Sequence, residues 1–152
     1  MLLIKILISI VKKNLHLVQT AEELIEVFKL RSEIYTELGY TKEFPEIIEG
    51  ISFDKFDKNA AILFCSSNEQ ITGTTRLIFD SSNNFPTENK TSFKNIRNTY
   101  QNIAEISRLI VKSETQGLNL EFKNLMQGLY TLITYNDLDI TIFAILKEHY
   151  KL

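Results

Sequence analysis

Residues Ile103 to Val111 read IAEISRLIV, a run apolar on both faces with one acid and one arginine inside it. A strand of that kind needs neighbours at its sides and layers above and below, so it reads as the central strand of a sheet. With the helices and further strands read below, the chain suits an α/β fold with this segment at its centre. Burying Glu105 and Arg108 costs several kcal/mol each unless they are paired. Positions three apart lie on opposite faces of a regular strand. Either the two serve different faces, or a bulge between them turns both toward one cleft. The bulge is preferred, because a single site then uses both.

Arginine usage points the same way. Lysine outnumbers arginine thirteen to four, so lysine is the ordinary solvated cation of this chain. Yet Arg31 falls on the apolar stripe of a helix, and Arg76 and Arg108 fall inside strand-like runs. A forked guanidinium at an interior position suits bidentate pairing with carboxylates or anchoring of an anion. Asp54, Asp57 and Glu105 are the acids available to match them. Each also has a bland reading: a buried structural pair for Arg31, solvated turn residues for the aspartates, a cross-strand salt bridge for Glu105 and Arg108.

Around these residues, Leu15 to Val18 reads as a short strand, and Thr20 to Glu23 has capping-box spacing. The helix that follows would bury Leu24, Val27, Phe28, Ile34, Tyr35 and Leu38, with Gly39 as its stop. Residues 40 to 58 read as a long loop holding Pro45 and Gly50. Ala60 to Cys65 and Ile71 to Phe79 read as strands joined by a polar turn. Ser81 to Gln101 reads as a second long polar loop. Asn119 to Tyr135 is expected to be a helix burying Leu120, Phe122, Leu125, Met126, Leu129, Leu132 and Ile133, and Leu138 to Leu146 a further buried strand.

With 44% hydrophobic residues and no linker or repeat, residues 1–152 suit one domain, residues 1–13 forming an apolar N-terminal extension. That extension is shorter than the roughly 20 residues of a spanning helix and lacks the layout of a signal peptide. It reads as an element covering the core, with peripheral membrane contact as the minor reading. The net charge of −2 and scattered basic residues exclude a nucleic-acid footprint. A single cysteine, Cys65, suits a reduced, cytoplasmic setting. His16 and His149 have no ligand spacing with it, so no metal is expected.

The order of elements resembles the GNAT acyltransferase fold, a mixed central sheet flanked by helices. Arg31-Ser-Glu-Ile-Tyr35 followed by Leu38-Gly39-Tyr40 resembles the first-helix motif of acyl-homoserine-lactone (autoinducer) synthases. Their relatives include the FeeM-like long-chain N-acyl amino acid synthases and the acyltransferases of exosortase systems. Asp54-Lys-Phe-Asp57 resembles their D-x-x-D loop, Gly73-Thr-Thr-Arg76-Leu77 their G-x-x-R-L strand, and Glu105-Ile-Ser107-Arg108 their E-x-S-R strand. Gln127-Gly-Leu-Tyr130 is similar to the G-L-Y helix of the FeeM-like branch. Five such motifs in order over residues 31 to 130 are fairly specific, where each alone is weak.

The resemblance implies transfer of a fatty acyl group from acyl carrier protein, or acyl-CoA, to the amine of an amino acid or similar small acceptor, with no bound cofactor. It implies Glu105 as general base, since an ammonium must lose a proton before attacking a thioester. Arg31, Asp54, Asp57 and Arg108 would form an electrostatic network that orders the loop and binds the acceptor. Arg76 would join that network or hold the acceptor's carboxylate; Ser107 would support it, and Tyr35 and Tyr40 would line the site. Autoinducer synthases carry a tryptophan near the end of the first helix; this chain has none, and Tyr40 stands in that neighbourhood. That favours the N-acyl amino acid branch. Gln116-Gly117-Leu118-Asn119 supplies one glycine where a coenzyme-A pyrophosphate loop wants several, which leaves a carrier-protein donor open. The chain stops where family members would run on through another strand pair, so the expected domain is truncated at its C-terminus. The alternatives are an acyl-homoserine-lactone synthase, or a non-catalytic domain that binds acyl carrier protein or lipid.

Overall fold

The computed structural model describes residues 14–40, 46–48, 50–112 and 120–144. The expectations for residues 1–13, the 116–119 segment and His149 lie outside them, as does the end of the last expected strand. A five-stranded sheet runs in the order β1 (Leu15–Leu17), β4 (Ala60–Ser67), β5 (Gln70–Phe79), β6 (Ile103–Val111), β7 (Ile140–Phe143). All its pairs are antiparallel except β6 with β7. A parallel pair needs a crossover, and the helix α3 (Leu120–Tyr135) lies in that connection.

The strand alternation sorts the side chains into two layers. Leu63, Leu77 and Ala104 face α3 and pack with Leu15, Cys65, Leu125, Leu129 and Leu132. Ile62 and Phe64 face the opposite side and pack with Val27 and Phe28 of α1 (Ala21–Glu37). Gly128 permits the close approach of α3, because a Cβ there would meet Leu63 Cδ1 at 2.8 Å and Leu15 Cδ2 at 2.9 Å. Helix α1 starts on the expected capping box, Thr20 Oγ1 accepting from the Glu23 amide at 3.2 Å and Glu23 Oε2 from the Thr20 amide at 3.1 Å. It ends on Gly39 at φ +73°, with the Tyr40 amide bonded to the Tyr35 carbonyl and that of Gly39 to Thr36, a Schellman closure.

Several expectations need correction. Within 40–58, β2 (Glu46–Ile48) and β3 (Ile51–Phe53) form a hairpin through Gly50, and a 3-10 turn covers Asp57–Asn59. Three-residue strands are too short for alternation to show. Within 81–101, a 3-10 turn at Pro86–Asn89 and the helix α2 (Lys94–Thr99) enclose Phe85 and Phe93, which are buried. Leu38, Leu120 and Phe122, at helix ends, are exposed rather than buried, and β7, expected to be buried, is only half-buried with Phe143 exposed, because it pairs on one side only, as the edge strand of the sheet. Leu30, which was not anticipated, is buried. Among the described residues no helix is long and apolar enough to cross a membrane.

Candidate active site

The site is assembled on the α1 side of the sheet, starting from the turn after β3. Asp54 Oδ1 accepts from the Phe56 amide at 2.9 Å, and Asp57 Oδ2 accepts from the Asp54 amide at 3.0 Å. These bonds lock the D-x-x-D turn and leave both carboxylates open to arginines. Register aligns Ile62, Arg76 and Ser107 in one row across β4, β5 and β6, on the α1 side. Arg76 Nη1 bridges Asp54 Oδ1 at 2.7 Å and Asp57 Oδ1 at 2.8 Å, while Nη2 reaches Asp54 Oδ2 at 2.9 Å. Its Nε donates to Ser107 Oγ at 2.8 Å. Arg31 Nη1, from α1, meets Asp57 Oδ1 at 2.6 Å.

Arg108 arrives through a bulge. Pairing of β5 with β6 slips between Thr74 and Arg76, and Arg108 has φ +53°. Arg108 Nη2 thereby reaches Asp54 Oδ2 at 3.0 Å, with its guanidinium 5.2 Å from the Tyr35 ring centroid. The irregularity falls at Arg108 itself, after Ser107, so Glu105 and Ser107 keep regular alternation and Arg108 joins their face.

The network holds three guanidiniums against two carboxylates, nearly all of it shielded from solvent. The Arg31 and Arg76 side chains are 0% and 1% exposed and that of Arg108 11%. Burial raises the Asp54 carboxyl, but hydrogen bonds and charge from Arg76 and Arg108 outweigh it and bring it down to about 2. Burial lowers Arg31 despite Asp57. Its Nε and Nη2 have no hydrogen-bond partner among the described residues, although Phe28 offers a ring face at 5.3 Å. Four of the five Arg76 N–H groups are committed to Asp54, Asp57 and Ser107.

Glu105 stands apart from this network. It pairs with Ile78 on β5 and is 2% exposed. Both its oxygens are held by one residue: the Thr87 amide donates to Oε2 at 3.1 Å and Thr87 Oγ1 to Oε1 at 2.9 Å. Burial raises its pKa, partly offset by the two Thr87 bonds and the Arg76 charge. Thr87 was not anticipated from sequence, nor was Arg97, which binds Glu88 and Asp80 beside it. The available signal was Pro86 followed by Thr-Glu, the composition of a short helical turn.

Of the expected residues, Arg31, Asp54, Asp57, Arg76, Ser107 and Arg108 meet in one network. Tyr35 lies under Arg108, and Tyr40 stands beside Tyr35 at a centroid distance of 6.1 Å, 41% exposed. Among the described residues no group of three or more His, Cys, Asp or Glu side chains could hold a metal ion.

Residues 26–152 match the family model of the N-acyl amino acid synthase FeeM. The chain belongs to the FeeM family. Comparison with curated proteins gave no match. Among solved structures, FeeM itself, an N-acyl amino acid synthase from uncultured soil microbes, superposes with a TM-score of 0.75 at 17% identity, over 90% of this chain and 73% of that one. BjaI, a CoA-dependent acyl-homoserine lactone synthase solved with SAM and isopentyl-CoA, gives 0.67 at 16% identity, over 91% and 69%. The AHL synthase LasI gives 0.58 at 16% identity, over 85% and 71%. This FeeM-family chain is thus an acyltransferase with a GNAT-like fold.

Proposed function

We propose that this protein moves a fatty acyl group from the thioester of acyl carrier protein to the amine of an amino acid. The observation that supports this most is Glu105: a buried carboxylate with raised proton affinity, on the same strand face as the arginine network. Each carboxylate oxygen has a second lone pair beyond the one Thr87 uses, so Glu105 can still accept a proton from an incoming ammonium or through water. The neutral amine then attacks the thioester carbonyl. An amide C–N bond forms, the C–S bond breaks, and the thiolate leaves with a proton.

Arg108 is the guanidinium of the three that water reaches, and Tyr35 and Tyr40 extend outward from it. The acceptor's carboxylate would approach there rather than at Arg76, which is buried and has four of its five N–H groups committed. Asp54, Asp57, Arg31 and Arg76 would keep that edge in place, with Ser107 holding Arg76. The reading treats residues 1–152 as one cytoplasmic domain, with residues 1–13 able to touch a membrane surface. Purified protein should be offered acyl-loaded carrier protein, or acyl-CoA, with amino acids or S-adenosylmethionine, and the products weighed by mass spectrometry. N-acyl amino acids are expected, and Glu105→Gln should slow their formation by roughly 10²-fold or more. Acyl-homoserine lactones alone would restore the autoinducer reading, and no transfer from either donor would favour a domain that binds without turnover.

A further inference from the structure

We propose that Thr87 is a positioning residue for Glu105, and that Arg97 is the clip that holds Thr87 in place. The inference rests, for its catalytic consequences, on Glu105 being the base. Thr87 meets both carboxylate oxygens at once, one through its backbone amide and one through its hydroxyl. Two-point contact fixes the carboxylate plane as well as its distance. The turn that presents Thr87 is built for this: Pro86 occupies its first position, and Glu88 Oε2 accepts from the Phe85 amide at 2.9 Å. Phe85 anchors it, fully buried beside Phe93.

Arg97 closes the assembly. Its guanidinium grips Glu88 through Nε at 2.8 Å and Nη2 at 2.6 Å, and Asp80 through Nη1 at 2.7 Å and Nη2 at 3.0 Å. It also lies over Phe85, 5.4 Å from the ring centroid. Asp80 directly follows the end of β5, so the clip ties α2 and the turn to the sheet. Partly exposed ion pairs contribute little to global stability. A doubly forked clip at this place is better accounted for by the turn it holds.

The charged groups acting on Glu105 are Arg76 from β5, which favours the carboxylate, and Glu88 from the turn, which opposes it. On the other side β7 presents only Ile140, Thr141, Ile142 and Phe143. Within this field, donors to the carboxylate favour its charged form. Removing them raises its proton affinity further and loosens its orientation.

The test compares Thr87→Val, Thr87→Ser and Arg97→Gln with the parent, reading the Glu105 carboxyl by carbon-13 NMR titration and kcat across pH. Thr87→Val should move the Glu105 titration upward and shift the acid limb of kcat with it, each unit of displacement costing about tenfold on that limb. Thr87→Ser keeps the hydroxyl and should restore both. Arg97→Gln releases the amide as well as the hydroxyl, so its shift should be in the same direction and larger. An unmoved Glu105 titration in a folded Thr87→Val protein would overturn the inference, even with Glu105→Gln inactive. A moved titration with fully active Glu105→Gln would instead leave the positioning role standing and remove Glu105 as base.

Discussion

Asp54 shows how one residue can organise a site and at the same time set its tolerance to acid. It receives Arg76 on both oxygens, Arg108 on one and the Phe56 amide on the other. Its carboxyl titrates at about 2 in the fold against an ordinary 3.8. A folded pKa below the unfolded one gives stability that is present above the unfolded value and lost as pH falls through the folded one. Between pH 4 and 2 the protein should therefore lose roughly 2 kcal/mol through this residue. Glu105 has the opposite sign, since its folded pKa is raised, and its contribution fades as pH rises. Urea denaturation at a series of pH values is the measurement, with Asp54→Asn as the comparison. The variant should be less stable at neutral pH, where it leaves Arg76 short of a carboxylate, and should lack the steep fall below pH 4. An equally steep fall in the variant would assign acid sensitivity elsewhere. The network was legible in sequence because arginines in apolar runs are conspicuous. Thr87 and Arg97 were not, because a threonine and an arginine in a polar segment look like ordinary surface.

Among the elements, α3 and the turn at Pro86–Asn89 teach opposite lessons. The helix was legible from its 3.6-residue stripe, and so were the long strands from their apolar runs. The β2–β3 hairpin and the 3-10 turn were not, since elements of three or four residues are fixed by the side chains they lock rather than by periodicity. Within α3, Gly128 sets the distance to the sheet. Gly128→Ala adds a methyl within 3 Å of Leu63 and Leu15, and both leucines are fully buried and have little room to turn aside. Overpacking of this kind costs about 1–3 kcal/mol, against roughly 1 kcal/mol gained from helix propensity. The net expectation is a loss of about 1 kcal/mol in chemical denaturation, larger for Gly128→Val. A stabilised alanine variant would mean that the leucines yield freely.

For the molecule as a whole, the α/β class followed from the order of strands and helices and the family from five short motifs, while the assembly of the site required coordinates. Its members come from α1, the turn after β3, β5 and β6, and the bonds joining them span 19 to 54 residues of chain. Contacts of such separation close only after the intervening chain has been ordered, and the loop-closure entropy is spent before they reward it. The β4–β5 hairpin, with Asn68 and Glu69 both at positive φ in a two-residue turn, is the local structure able to form first. The buried charges are therefore expected to form late, after the barrier rather than on it. Arg76→Lys, which loses the fork, should then raise the unfolding rate by roughly 10²-fold while changing the refolding rate by less than about threefold. Stopped-flow chevrons would show it, and a slowed refolding limb would place the network in the nucleus. On this ordering, the resident lifetime of the native state, more than the speed of reaching it, is what the arginines control.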